Sequence, residues 1–132
     1  GRVNHRLNSI EQGAKFLKLD VLKSFGRFKR EGPFDLVIAD PPSFQRNSFE
    51  AERHYGKLLN RLGEVLADNG EALFCLNDPA VSEDQFRQWV VDNGKWQIIE
   101  RLPAAQSFID ANLDTALKVL RCKPLNCDKT KV

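Results

Sequence analysis

An acidic residue followed by two prolines is the stretch of this sequence best suited to chemistry. In Asp40-Pro41-Pro42-Ser43-Phe44, each proline has a fixed φ angle and no N–H to donate, and each pushes the residue before it towards extended geometry. The product is a stiff loop that presents one carboxylate and bare carbonyls beside an aromatic ring. Such a loop can hold hydrogen-bond acceptors still against a bound molecule.

A buried β-strand is predicted to position this loop. Residues 36–39 form a continuous apolar run with Phe34 just before it, which is typical of a strand covered on both faces in a parallel α/β sheet. In open α/β sheets, ligands bind just outside the carboxyl ends of the strands. Asp40 lies at such an end, so residues 40–44 are the candidate site. The alternative is that Asp40 only starts a turn after a buried strand.

The rest of the chain is predicted to alternate between strands and helices. Asp20 is expected to cap one helix, Gly70 to help end a second, and Ser82 with Gln85 to form the capping box of a third. The helices are predicted over residues 20–28, 49–67 and 82–92, and the strands over residues 14–19, 34–39, 71–76, 96–102 and 117–122.

Composition indicates one folded domain without a membrane span. The 132 residues are 42% hydrophobic and 29% charged, and the net charge of +2 neither demands nor excludes a nucleic-acid partner. No apolar run approaches the roughly 20 residues of a membrane helix, and no signal peptide is visible. Cys75, Cys122 and Cys127 have no metal-type spacing, and His5 and His54 have no metal partner in sequence. We therefore predict no metal site and a cytoplasmic, reducing location.

This order of motifs resembles the class I S-adenosylmethionine (SAM)-dependent methyltransferases. Asp40-Pro41-Pro42-Ser43 is similar to their motif IV, and the Asp-Pro-Pro-x-Phe form is similar to the bacterial branch that methylates large-subunit ribosomal RNA. The resemblance implies an α/β fold: the C-terminal part of a Rossmann-like sheet, strands three to seven, with parallel strands and a terminal antiparallel hairpin. It implies a partial methyltransferase domain over residues 1–122, and we expect the polar tail at 123–132 to be disordered.

The resemblance also implies roles for the candidate loop. Asp40, Pro41 and Pro42 would accept hydrogen bonds from the target base. Phe44 would stack on a base taken out of its helix, although it is equally suited to closing the loop as a core residue.

The cofactor implied by the resemblance is SAM. Asp20 would contact the adenine amino group, Val21 would lie against the ring, and Asp40 would also belong to the cofactor site. The alternative for Asp20 is a simple helix N-cap, and the two roles are compatible.

One departure from the family pattern concerns the nucleophile. The 5-methylcytosine enzymes of this branch need a cysteine just after strand five, where this sequence has Asn77, while Cys75 lies inside the strand, where burial raises a thiol pKa. Asn77 therefore favours direct transfer to a ring nitrogen of a ribosomal RNA base, with positioning as the main source of rate. The alternatives are a methyltransferase for a small molecule or protein, or a non-catalytic nucleotide-binding or interaction module of the same fold.

The glycine-rich segment that begins the family fold has no counterpart before residue 14. The sequence also has no methionine, so we expect it to start inside a longer protein and to be inactive alone. The first two strands of the family fold are likewise missing. In the family's sheet they lie between the strands that correspond to residues 14–19 and 34–39. Since exposed strand edges invite pairing with another chain, we expect the segment to dimerise through them, to swap elements, or to pack its first helix-strand unit unusually.

Overall fold

The computed structural model describes residues 2–9, 13–42, 44–45, 49–104, 107, 112–113 and 115–125. The elements within these residues are the helices α1 (Arg2–Leu7), α2 (Phe25–Glu31), α3 (Ala51–Leu62) and α4 (Glu83–Asp92), two 3-10 turns (Val21–Lys23 and Gly63–Val65), and the strands β1 (Phe34–Ala39), β2 (Phe44–Gln45), β3 (Phe49–Glu50), β4 (Leu66–Leu76), β5 (Trp96–Arg101) and β6 (Lys118–Pro124).

Four of the strands form one mixed sheet in the order β1-β4-β6-β5. β1 runs parallel to β4, whereas β6 is antiparallel to both β4 and β5. The predicted α/β class and the antiparallel pairing of the last two strands are therefore confirmed. β6 extends to Pro124, so Lys123 and Pro124 of the predicted tail lie in a strand, and residues 126–132 fall outside the described part of the chain.

The core lies between the sheet and α3. β4 contributes Ala72, Phe74 and Leu76 to the buried cluster, and α3 contributes three leucines to it. Phe74 packs edge-on against Trp96 with ring centroids 4.8 Å apart, and the Trp96 indole N–H donates to the carbonyl of Leu59 at 3.0 Å. This hydrogen bond satisfies the polar edge of an indole that is otherwise buried.

The second predicted helix ends earlier than its apolar stripe indicated. α3 stops at Leu62, and Leu66 already pairs with Phe34 of β1. Gly70, which was predicted to end the helix, instead lies where the β1–β4 register shifts. A Cβ there would lie 2.8 Å from the Phe34 carbonyl oxygen, so the close approach of the two strands requires glycine. Strand pairing outweighs the local helical pattern in this segment.

The strand predicted at residues 14–19 is wrong. Residues 14–20 form neither helix nor strand and are exposed throughout, and Phe16, Leu17 and Leu19 keep large exposed areas. A strand needs a hydrogen-bonded neighbour, and the sheet pairings of the described residues include none for this segment. It remains extended chain that leads into Asp20.

Of the three predicted capping signals, the one at Ser82 is confirmed, the one at Gly70 is wrong, and Asp20 caps a 3-10 turn that precedes α2. Asp20 accepts hydrogen bonds from the backbone N–H of Leu22 and Lys23 at the start of the first 3-10 turn. Ser82 and Gln85 form the reciprocal capping box of α4. No helix among the described residues is long and apolar enough to cross a membrane.

Candidate functional site

The candidate loop begins where two parallel strands end side by side. Ala39, the last residue of β1, pairs with Phe74 of β4, and Asp40 follows as an exposed residue. Asn77 is exposed directly after β4. Because the carboxyl ends of parallel strands meet at one edge of a sheet, Asp40 and Asn77 emerge at the same edge.

An apolar cavity of about 750 Å³ connects this loop with the segment before α2. Its lining includes all the predicted cofactor residues and both prolines: Asp20, Val21, Asp40, Pro41 and Pro42. Two segments separated by α2 and β1 therefore meet around one space. Asn77 is not among the lining residues.

The open edge of β1 forms one wall of the cavity. Among the described residues, β1 has β4 as its only neighbour in the sheet, and Leu36 and Ile38 are 51% and 61% exposed. The apolar run that predicted a strand covered on both faces is thus uncovered in the described part of the chain. The predicted open edge at β1 is confirmed, and it supplies the apolar side of the cavity.

The residues at the Asp20 end of the cavity fit an adenine ring. Asp20 accepts from the N–H of Leu22 at 3.0 Å through Oδ1, while Oδ2 lies 3.7 Å from the Lys23 ammonium. The carboxylate is held by its own turn and keeps exposed oxygen surface, and the side chains of Val21, Leu22 and Ile38 line the same cavity. Flat apolar surface next to a fixed acceptor suits an aromatic ring that carries an amino group.

The two described cysteines are unsuited to act as nucleophiles. Cys75 is buried, and burial raises the pKa of its thiol, with a further contribution from the negative charge of Asp40. Burial also raises the pKa of Cys122 to about 12. Both thiols therefore remain protonated near neutral pH, as the sequence predicted for Cys75.

Tyr55 is a residue of this edge that the sequence analysis did not single out as functional. Its hydroxyl donates to the carbonyl of Cys75 at 2.8 Å and lies 3.4 Å from the carbonyl oxygen of Ala39. Burial raises the pKa of the phenol, and the charges of Cys75 and Asp40 add to the effect. The one available signal was that Tyr55 is the only tyrosine in the sequence.

Lys118 is a second residue that the sequence analysis did not single out. It is completely buried, and its ammonium donates to the carbonyls of Asp78 and Ala116, each at 3.2 Å. A single lysine within the apolar run 117–120 was the signal, because lysine is almost never fully buried without partners.

Phe44 and His5 are two further residues that the sequence analysis named. Phe44 lies in the two-residue strand β2, paired with β3, and its side chain is outside the described part of the structure, as is Ser43. The ring of His5 meets that of Phe16 edge-on at 4.9 Å. Among the described residues, no group of three or more potential ligands could hold a metal ion.

Four of the six basic residues at positions 15–30 are engaged in ion pairs. Lys15 and Arg27 pair with Glu31, Lys29 pairs with Glu64, and Lys23 lies near Asp20. Their charge is largely offset locally, as expected of an ordinary solvated face.

The fold is that of a Rossmann-like α/β protein, and the cavity at its strand ends is a candidate ligand site. A sequence model of the S-adenosylmethionine-dependent methyltransferases matches residues 1–123. The chain belongs to this family, as its motifs predicted.

Two curated relatives are named for ribosomal RNA. YwbD of Bacillus subtilis, assigned as a ribosomal RNA large subunit methyltransferase, is 30% identical over 112 residues, which cover 77% of this chain and 28% of that protein. The ribosomal RNA large subunit methyltransferase K/L of Alcanivorax borkumensis is 34% identical over 74 residues, which cover 51% of this chain and 10% of that protein. The chain thus spans well under half the length of these relatives.

Solved structures support the fold. SMU.776, assigned as a methyltransferase and solved with S-adenosylhomocysteine (SAH), matches with a TM-score of 0.78 at 23% identity, covering 92% of this chain and 34% of that one. Ribosomal protein L11 methylase from Lactobacillus delbrueckii subsp. bulgaricus matches with a TM-score of 0.56 at 19% identity, covering 95% and 51% of the two chains. At these identities the similarity shows a shared fold.

Proposed function

We propose that this chain is part of a SAM-dependent methyltransferase that methylates a ring nitrogen of a ribosomal RNA base. The observation that carries the proposal is the single cavity that brings Asp20 and Val21 together with Asp40, Pro41 and Pro42. The family match supports the cofactor, and the names of the two relatives support the RNA substrate.

One group of residues binds the cofactor and another orients the target base. Asp20 accepts a hydrogen bond from the adenine amino group, Val21 packs on the ring, and Asp40 lies where the cofactor and base sites meet. When bound, SAM supplies a methyl group that is open to attack by a nucleophile. On this reading the carbonyls of Pro41 and Pro42, the ring of Phe44 and the amide of Asn77 orient the target base.

Transfer to a ring nitrogen is the chemistry that the two cysteines favour. Methylation of an unactivated base carbon requires a thiolate, and burial raises the pKa of both Cys75 and Cys122. A ring nitrogen carries its own lone pair, so the protein needs only to position it and to accept hydrogen bonds from neighbouring donors.

Substitution of Asp40 in the full-length natural protein tests the proposal. We expect Asp40→Ala to lower kcat/KM for methyl transfer to ribosomal RNA by roughly 100-fold, because an acceptor at the reacting groups is lost. Asp35→Asn is the matched control, since Asp35 is exposed on the same strand, and it should leave the rate unchanged. Equal rates for Asp40→Ala and the wild type would refute the role of the loop.

We further propose that the 132-residue chain self-associates through the open edge of β1. The supporting observations are the single sheet neighbour of β1 and the exposed side chains of Leu36 and Ile38. Sedimentation velocity should detect dimers of this chain, and Ile38→Lys should shift it to monomer, because a charge at the edge opposes strand pairing. A wild-type chain that stays monomeric when its concentration is raised 100-fold would contradict self-association through β1.

A further inference from the structure

We propose that Tyr55 and Lys118 are positioning residues that together fix the β4 turn, which consists of the last two residues of β4 and the first two after it, residues 75–78, and carries Asn77. The proposal rests on the proposed methyltransferase function, in which Asn77 faces the target base. Neither residue is among those that line the cavity, so both would act through the backbone of this turn.

Tyr55 holds the first residue of the turn. Its hydroxyl lies 2.8 Å from the Cys75 carbonyl oxygen and 3.4 Å from that of Ala39. The shorter distance is a normal O–H···O hydrogen bond and the longer is outside the usual range, so Cys75 is the main acceptor. Tyr55 lies on α3 with its side chain completely buried, and its ring packs edge-on against that of Phe86 with ring centroids 5.4 Å apart. The hydroxyl therefore has little freedom to move away from the strand end.

Lys118 holds the last residue of the turn. Its backbone pairs with Leu76, and its side chain reaches past that position to the Asp78 carbonyl at 3.2 Å. The same ammonium also donates to Ala116 before β6. A buried cation is costly unless it is hydrogen-bonded, so each of these hydrogen bonds opposes movement of the carbonyl that accepts it.

The two contacts lie on either side of Asn77. Tyr55 restrains position 75, Lys118 restrains position 78, and the residue between them is exposed. The carboxylate of Asp40 is close enough to Tyr55 to influence the pKa of its phenol. The distance between Asp40 and Asn77 across the site therefore depends on this pair of buried donors.

The test uses Tyr55→Phe and Lys118→Met in the full-length natural protein, with Val90→Ala as the control. Both variants remove donors while largely keeping side-chain volume. Val90 is buried in α4, so its truncation lowers stability without touching the turn. We expect Tyr55→Phe to lower kcat by about 10-fold or more, while KM and the dissociation constant for SAH change less than twofold, because binding is retained and positioning is lost. Val90→Ala should leave kcat unchanged.

Amide hydrogen exchange at residues 76–78 provides a second readout that needs no activity. Exchange there should quicken at least 10-fold in Tyr55→Phe and Lys118→Met, beyond any change in Val90→Ala. Unchanged exchange in both variants, or an unchanged kcat in Tyr55→Phe, would overturn the inference. If the wild type transfers no methyl group, the proposed function fails, and the exchange result alone then decides whether the two residues hold the turn.

Discussion

Apolar residues of the same kind are buried in one region of the molecule and exposed in another. On the β4–β6–β5 side, Phe74 is 0% exposed between the sheet and α3, whereas Phe16, in the extended segment before Asp20, is 38% exposed. The exposed fractions differ although the side chains are identical, because an apolar side chain is removed from water only where another apolar surface packs against it. The candidate site lies at the boundary: Asn77 and Tyr55 belong to the packed side, and Asp20 and Val21 to the uncovered side.

The largest difference in stability is expected between alanine substitutions of Phe74 and of Phe16, one in each region. Phe74→Ala should reduce the free energy of unfolding of the 132-residue chain by about 3–5 kcal/mol, since it leaves a cavity in a closed core. Phe16→Ala should change it by no more than about 0.5 kcal/mol. Urea unfolding followed by tryptophan fluorescence measures both. Comparable losses would show that the uncovered side is packed in solution after all.

An intermediate effect is expected at the boundary, where Asp20 caps the first 3-10 turn. Asp20→Ala should destabilise this turn by about 1 kcal/mol, whereas Asp20→Asn should have little effect because asparagine is also a good cap. Hydrogen exchange at the amides of Leu22 and Lys23, which donate to the carboxylate, reports the change directly. Equal exchange in the alanine and asparagine variants would mean that the cap contributes nothing.

The smallest effect is expected from an ion pair on the packed side. Hydrogen bonds from Arg121 and Lys123 lower the pKa of Glu71 from 4.5 to about 2. Because the folded-state pKa is the lower one, the stabilisation is complete above pH 4.5 and is lost as the pH falls towards 2. The stability difference between wild type and Glu71→Gln should therefore shrink over this pH range. A difference that stays constant from pH 6 to pH 2 would rule out the pairing.

Structural features that depend on adjacent residues could be predicted from the sequence. The apolar run before Asp40 predicted β1 within its observed bounds, and Ser82 with Gln85 predicted the start of α4, because each signal depends on a few adjacent positions. The meeting of Asp20 with Asp40 followed from the family motif order, not from spacing alone.

Features that depend on distant partners were not predictable in the same way. Residues 14–19 have the composition of a strand, but a strand exists only with a neighbour to pair with. α3 ends at Leu62 because Leu66 finds Phe34. The tasks of Tyr55 and Lys118 depend on carbonyls that lie 20 and 40 residues away in the chain, and no local pattern carries that information.

The position of Tyr55 gives the 132-residue chain a built-in spectroscopic reporter. It is the only tyrosine in the sequence, and its hydroxyl is bonded at the strand ends where the candidate site begins. Selective labelling with ring-fluorinated or carbon-13 tyrosine would thus give a single resonance, free of overlap. Titration with SAH, RNA or a second chain could be followed at that one signal without introducing a foreign probe.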